Sequence, residues 1–520
     1  MAAAAAAPSY ARASANFRDA LYINGSWVKP AGTFEVVSGA TGAVLAASPQ
    51  ATAEHVEAAA AGAAAAFKTW SRVAPAERAG WLRKLADELE RRKDDVASVE
   101  AAHTSKPFRE AQGDVDDACA AFRYCATHAD ALGAGTLFAT APTGMPAAEF
   151  AGSSIRYESV GVVGAICPFN VPLMMAAWKV GPSLAAGCTI IVKPSEFTPF
   201  SALCLAECAH AIGLPAGVLS VLPGYGDVGA ALVQHRLIDK VTFTGSVATG
   251  AKVASAAGAT LKRCTLELGG KSPALVFEDA DIEGALEWLF FGFAWNCGQI
   301  CSATSRLIVH KSVEEKVVAR LAAAAGRVKA GGPFDEGVEL GPIGNKMQYD
   351  KVVKYIELSR KEGLDCACGG SAPHGLDDKY AGGFFVAPTI FTGVTPKNTI
   401  FKEEVFGPVL AVSSFETEAE AVALANDSEF GLAAAVFTTD AARAQRVAGE
   451  LRAGVVWVNN AQPSPHAQPW GGFKKSGIGR EMGPYALLPF LEQKAVTNWV
   501  HAKGESGLGW YAGSHFTAYD

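Results

Sequence analysis

The chain has no run of about 20 apolar residues, the length a helix needs to cross a bilayer. Its longest apolar stretch, residues 180–192, is closed off by Lys179 and Lys193. Basic runs are missing too. Lys and Arg number 45 against 52 Asp and Glu, a net charge of -7, so neither nucleic acid nor an anionic membrane is expected as partner. There is no disulfide framework: the 11 cysteines are an odd number spread over a long chain without a secretory signal. Zinc-finger spacing is absent as well. Cys204 with Cys208 and Cys366 with Cys368 are close pairs, but no matching Cys or His pair follows either, so no metal site is expected. The first pair lies in the apolar helical stretch SALCLAECAHAIG, where small buried thiols are common. No internal repeat or long linker is visible. The last residues, AYD, carry no peroxisomal or retention address.

What is present points to more than one core. At 520 residues the chain exceeds the roughly 250–300 at which single cores stop growing. Its 50% hydrophobic and 19% charged composition is that of an ordinary globular enzyme, and 54 glycines suit many tight strand–helix turns. Residues 52–103 read as two helices, the second opening after Pro75 with Trp81, Leu82, Leu85 and Leu89 on one face. From Val160 the pattern alternates. VGVVGAIC, TIIVKP, GVLSVLP and KVTFTG read as buried strands, with helices at 172–186 and 201–212. A second series holds SPALVFED, RLIVH, PVLAVSSF, LAAAVF and GVVWVNN, with helices at 282–295 and 313–329. Such alternation predicts an α/β protein with parallel sheets and helical crossovers. Residues 136–159 read as an extended hairpin and 488–500 as one more strand, together an oligomer-forming arm. The first 20 residues, MAAAAAAPSYARASANFRDA, are rich in Ala and Ser with two Arg; a disordered extension is the preferred reading over a transit peptide.

Three segments carry candidate chemistry. Cys301 in GQICSATSR follows a helix and a Gly-containing turn and precedes a strand, a place where a thiol can be exposed and aimed. Cysteine suits attack on a carbonyl near neutral pH, because some thiolate exists even at its free pKa of about 8.5. Glu267 in LELGGKSP is a lone carboxylate inside an apolar strand. Burial would raise its pKa toward that of a general base; a salt bridge to Lys271 or Arg263 is the structural alternative. FTGSVATG joins a strand to a helix whose N-terminal amides could hold a phosphate, although it matches neither the dinucleotide fingerprint nor a phosphate-binding loop.

With these residues in view, the chain resembles the aldehyde dehydrogenase superfamily from about Asn24 to Trp499. PFNVP, KPSE, FTGSVATG, LELGGKSP, GQICSATSR, EEVFGPV, NDSEFGL and PWGGFKKSG occur in the family's order, and Glu267 and Cys301 stand 34 residues apart, as in the family. The resemblance implies a Rossmann-type NAD-binding domain, an α/β catalytic domain and a small β oligomerisation arm. The expected division is an N-terminal extension at 1–20, an NAD-binding domain at 21–135 and 160–266, a catalytic domain at 267–480, the arm at 136–159 and 481–503, and a tail at 504–520. It implies Cys301 as nucleophile, forming a thiohemiacetal and then a thioester, and Glu267 as activator of the hydrolytic water. Asn170 and the Cys301 backbone N–H would hold the oxyanion. Lys193 and Glu196 match adenosine-ribose contacts, Gly245 and Ser246 the pyrophosphate turn, Glu404 a nicotinamide-ribose contact, and Phe406 a neighbour of the nicotinamide ring. A carboxylate at Glu196 suits free ribose hydroxyls better than a 2′-phosphate, favouring NAD while leaving NADP possible.

Within the superfamily the chain looks most like the aminoaldehyde and betaine-aldehyde dehydrogenases. In that group a cationic substrate end lies among aromatic rings. Trp178, Trp295 and Trp470 match three such positions, with core packing as the alternative reading of each. The fourth, normally Tyr, is Val171, and the Trp usual in the same motif is Phe169. These departures leave room for ω-amino or apolar aldehydes as well as betaine aldehyde. The rival readings are a broad aliphatic aldehyde dehydrogenase, a CoA-acylating semialdehyde dehydrogenase and an inactive scaffold. The expected partner is a small-molecule aldehyde, the expected assembly a homodimer or homotetramer, and the expected location cytoplasmic, with organellar targeting as the alternative.

Overall fold

The structure is a computed structural model that describes residues 7–135, 137 and 154–498. Its first sheet is built on five parallel strands in the order Arg263–Glu267, Lys240–Thr244, Val162–Ile166, Thr189–Lys193 and Leu219–Val221. The hairpin Leu21–Ile23 and Ser26–Val28 extends one edge, and Gly477–Ile478 joins antiparallel at the other. The central strands are apolar without alternation because both faces are covered. Side chains still alternate between two cores. Val163, Ala165, Ile190 and Val192 join a core with helices Pro75–Arg91, Phe108–Gly133, Pro172–Ala186 and Phe200–Ala211. Val162, Ile191, Val241 and Phe243 join the opposite core with helices Ala53–Trp70, Gly226–Gln234 and Val247–Gly258.

The second sheet has seven strands in the order Asp365–Cys368, Thr389–Thr392, Val409–Phe415, Arg306–His310, Pro273–Val276, Ala433–Phe437 and Val455–Val458. All neighbours are parallel except the first pair. Helices Ile282–Ala294 and Glu314–Ala325 pack on one face, and Glu418–Asn426 and Ala441–Glu450 on the other. Apart from both sheets, Ser154–Ser159 pairs antiparallel with Leu491–Val496. The rest of the hairpin expected over 136–159 falls, apart from Leu137, outside the described residues.

Two expectations need correction. Residues 52–103 hold three helices, because the chain breaks at Arg92 (φ -100°, ψ 14°) and restarts as Lys93–Thr104. The charge run ERRKDD hides the break, and the third helix is buried all along from Val96 to Thr104, so it shows no amphipathic period. The N-terminal segment is also ordered from Ser9 onward. Ser9 caps the helix Tyr10–Ser14, Arg12 bonds Asp95 at 2.7 Å, and Phe17 stacks on Phe200 at 4.3 Å.

One buried cation ties the second sheet to its loops. The Arg306 guanidinium donates to the carbonyls of Lys271 (2.9 Å), Leu424 (2.9 Å) and Ala425 (2.7 Å). Arg306→Met would leave these buried acceptors unpaired, so we expect a loss of about 3–5 kcal/mol in stability. A denaturant midpoint that stays at the wild-type value would contradict this account of the anchor.

Candidate active site

The parallel strands of the first sheet end on a cavity of about 670 Å³, where Ile166, Lys193, Thr244 and Glu267 form one wall. This is the carboxyl-end position at which open α/β sheets hold ligands. The opposite wall comes from the second half of the chain and includes Trp295, Cys301, Glu404, Phe406 and Trp470. All thirteen expected site residues line this one cavity. A cavity of about 900 Å³ beside Arg78 and the strand Ser154–Ser159 contains none of them.

Glu267 is the last residue of its strand, opposite Thr244 on one side and Gly477 on the other. Its residue surface is 4% exposed and neither carboxylate oxygen has a hydrogen-bond partner among the described residues. The salt-bridge alternative does not hold: Arg263 pairs with Glu492, and the buried Lys271 amine makes no hydrogen bond among the described residues. Burial, reinforced by the nearby Glu481 carboxylate, raises the Glu267 pKa well above the ordinary carboxylate value, against the pull of Lys179 and Arg480. Glu481 itself is held by Lys179 at 2.7 Å, and Lys179 also bonds Thr244 at 2.7 Å. Gly471 is required beside the carboxylate, since a Cβ there would lie 2.8 Å from Glu267 Oε1 at φ +148°.

Cys301 follows the tight segment Trp295–Gly298, in which Asn296 and Cys297 adopt left-handed backbone (φ 48° and 54°). Gly270 permits the approach of this loop; a Cβ there would sit 2.4 Å from the Cys301 carbonyl oxygen. The residue keeps a partly exposed surface, but its sulfur is in a desolvated setting. Burial first, then the Glu267 and Glu404 carboxylates, push the thiol up to about 12, while the backbone N–H groups of Ser302 and Cys301 oppose the rise. The thiol is therefore protonated at neutral pH in the absence of other charges. Gln462 clamps the loop from behind, accepting from Ser302 Oγ at 2.6 Å and donating to the Ser302 carbonyl at 3.2 Å. Asn170 donates its side-chain amide to the Gln299 carbonyl at 2.8 Å, two residues before Cys301.

The rest of the cavity is long and amphipathic. Lys193 and Glu196 pair at 3.1 Å. Gly245 bridges a strand and the helix Val247–Gly258, which Ser246 caps by accepting from Thr249 N at 3.3 Å. An added Cβ at Gly245 would meet the Phe243 ring at 2.6 Å, so the turn comes close only as glycine. Glu404 accepts from Gly270 N at 2.9 Å, and a Cβ on Gly269 would fall 2.4 Å from its carboxylate. Burial raises the Glu404 pKa. Phe406, at φ 58°, is braced by Gln348, which donates to its carbonyl at 2.9 Å, and its ring meets Phe169 edge-on at 5.8 Å. A helix N-terminus, a Lys–Glu pair, the apolar side chains of Val233 and Val253 and the Phe406 ring line the same cavity as Cys301, a set that fits a dinucleotide.

The aromatic residues both line the cavity and pack into the core. Trp178 is 2% exposed and part of the core, yet it lines the cavity and donates Nε1–H to Asp117 at 2.7 Å. Trp470 stands nearly perpendicular to it at 6.0 Å, Trp295 stacks on Phe291 at 5.1 Å, and Val171 completes the surface. Among the described residues no His, Cys, Asp and Glu group could hold a metal ion; Cys204 and Cys208 are buried, and Cys366 and Cys368 lie on an edge strand. Sequence reasoning missed Lys179, Glu481, Gln462 and Gln348, whose partners lie far along the chain.

Comparison with known proteins agrees with this geometry. The aldehyde dehydrogenase family profile matches residues 27–496. A chloroplastic betaine aldehyde dehydrogenase of Beta vulgaris is 43% identical over 499 residues, covering 94% of this chain and 98% of that protein. The peroxisomal aminoaldehyde dehydrogenase 2 of Malus domestica is 44% identical, over 94% of this chain and 97% of that protein. Among solved structures, an NAD+ complex of an aldehyde dehydrogenase from Bacillus cereus superimposes with a TM-score of 0.89 at 41% identity, covering 94% of this chain and 98% of that one. With two parallel sheets meeting at a cavity that holds a thiol and an unpaired carboxylate, the chain belongs to the aldehyde dehydrogenase family.

Proposed function

We propose that this protein oxidises an aldehyde to a carboxylic acid with NAD as hydride acceptor, Cys301 serving as nucleophile and Glu267 as general base. The observation that carries this reading is a cysteine at a turn and a buried, unpartnered carboxylate on the walls of one cavity. Cys301 Sγ bonds the carbonyl carbon as its proton passes to solvent, and the carbonyl oxygen takes the negative charge. Asn170 and the Cys301 backbone N–H donate to that oxygen. Bound NAD would supply the acceptor for the hydride lost from the former carbonyl carbon, whose oxygen re-forms the C=O bond and leaves a thioester at Cys301. Glu267 then takes a proton from water, the water oxygen bonds the thioester carbon, and the C–S bond breaks to release the acid and the thiol. A raised pKa makes Glu267 a better acceptor of that proton than an ordinary carboxylate.

Lys193, Glu196, Gly245, Ser246, Glu404 and Phe406 would hold NAD. Glu196 disfavours a 2′-phosphate by simple repulsion. In this reading residues 21–135 and 160–266 bind the dinucleotide and 267–480 carry the chemistry. The substrate class is an ω-aminoaldehyde or betaine aldehyde, supported by the relatives' names and by the Trp178, Trp295 and Trp470 wall. Among the described residues the ribbon Ser154–Ser159 with Leu491–Val496 has an unpaired strand edge, which suits self-association as a dimer or tetramer. No helix among the described residues is long and apolar enough to cross a membrane. A cytoplasmic location fits the packing of residues 9–17 onto the fold, since removal of those residues would expose Phe200.

Cys301→Ala should abolish aldehyde-dependent NADH formation, measured without CoA, while NAD binding is kept; an active variant would sink the mechanism. Glu267→Gln should give one burst of NADH and then stall. It should also melt at a higher temperature at pH 7, because a raised carboxylate pKa costs stability as pH climbs past the unfolded value.

Iodoacetamide labelling of Cys301 without cofactor should still be accelerating at pH 10, since the thiol lies at about 12. In Glu267→Gln the profile should move to lower pH, as one repelling carboxylate is gone; coincident profiles would disprove the electrostatic coupling.

Val171→Tyr adds a π face. It should lower KM for betaine aldehyde by about fivefold, the equivalent of ~1 kcal/mol, with little change for an uncharged aliphatic aldehyde. Equal shifts for both substrates would count against cation recognition at this wall.

A further inference from the structure

The bend that carries Asn170 has no regular ladder, so its backbone groups must be satisfied by other means. The Asn170 carbonyl accepts from Lys106 Nζ at 2.9 Å and from Asn296 Nδ2 at 3.0 Å. Lys106 is held in turn by Asp114; the two side chains are 1% and 5% exposed. A buried ion pair is weak evidence for stability, since apolar residues of similar volume do as well. What this pair does is lock one peptide. An amide nitrogen carries two hydrogens, and the Gln299 carbonyl takes only one from Asn170 Nδ2. The other is free to point at a ligand oxygen, provided the residue cannot rotate. Asn296 and Gln299 belong to the segment leading into Cys301, so the same clamp sets the nucleophile's loop against the amide.

We infer that Lys106, anchored by Asp114, is a positioning residue that holds Asn170 so that its free amide hydrogen meets the oxyanion formed at Cys301. This rests on the oxyanion role proposed for Asn170. The chemistry is electrostatic and steric: no bond forms or breaks at Lys106. Its charge directs the Asn170 carbonyl away from the cavity and thereby turns the side chain toward it.

A double-mutant cycle tests this, with the rate of first-turnover NADH formation at saturating NAD and aldehyde as the readout. Lys106→Met should slow that step by about tenfold or more, short of the roughly 10²–10³-fold that loss of one oxyanion donor produces. The KM for NAD should stay within about twofold of wild type. Combined with Asn170→Ala, Lys106→Met should add less than about twofold, because the group it positions is gone. A merely structural lysine would slow both backgrounds equally, and that result overturns the inference. If Asn170→Ala runs at the wild-type rate, the oxyanion assignment itself fails. Should Lys106→Met fail to fold with Asp114 unpaired, Asp114→Asn in the same cycle replaces it. It should slow the first turnover about threefold to tenfold in the Asn170 background and not in Asn170→Ala; equal effects again overturn the inference.

Discussion

Leu266 pairs with Ile478 and Glu267 with Gly477, so a segment from near the end of the chain closes the edge of the first sheet. Much of the site hangs on these two ladder positions. Ser476, next in line, donates Oγ–H to the Gly269 carbonyl at 2.8 Å and accepts from Gly431 N at 2.9 Å, while its carbonyl takes Leu268 N. The glycine pair against which Glu404 and Cys301 pack is thus pinned from behind by residues of the second half. Gly477 has φ +147°, and a Cβ there would lie 2.1 Å from the Leu266 carbonyl, so the ladder closes only on glycine. The GGFKKSG stretch therefore acts chiefly as architecture, setting where the Glu267 carboxylate ends up.

Desolvation then governs the chemistry of the cavity. Cys301, Glu267 and Glu404 are all pushed toward their neutral forms, with burial the largest cause in each. The Glu267 and Glu404 carboxylates also repel the Cys301 thiolate, so its ionisation depends on both. In a medium of low effective dielectric, a positive charge brought beside Cys301 reverses the balance, stabilising the thiolate far more than it would in water. A resting thiol near 12 is thus consistent with a nucleophile that ionises when a cationic ring arrives. The pair Lys179–Glu481 acts on Glu267 in opposite senses, the carboxylate raising its pKa and the ammonium lowering it.

The parallel strands were legible because burial on both faces leaves near-continuous apolar runs such as Thr189–Lys193, in which every residue is buried. The helix Lys346–Lys361 was not read, and its buried positions explain why: Gln348 and Ser359 are polar, leaving only Val352 and Ile356 as an apolar signal. Cys301 and Glu267 stood out as residues placed against local expectation, a thiol at a turn and an acid in an apolar strand. The residues that hold them did not. Lys106 bonds a carbonyl 64 residues away, Asn170 one 129 away, and Ser302 meets Gln462 across 160. Such contacts are made to backbone carbonyls or single amides, which leave no pattern in the intervening sequence.

In the proposed substrate reading, the aromatic wall would recognise a cation without formal charge. No carboxylate stands among its four side chains, and Asp117 behind it is engaged with the Trp178 indole N–H at 2.7 Å. That bond fixes the ring plane, the edge-on contact at 6.0 Å fixes Trp470 relative to it, and stacking on Phe291 fixes Trp295. Rings held this firmly present oriented quadrupoles, which attract a cation over their faces and pack equally well against methylene groups. Val171 fills its place with two methyl groups and no π surface, so the wall keeps its apolar contact area but loses attraction on one side. On the proposed substrate reading, discrimination between a quaternary ammonium and a smaller amine would depend on the space left at Val171 as much as on the three rings.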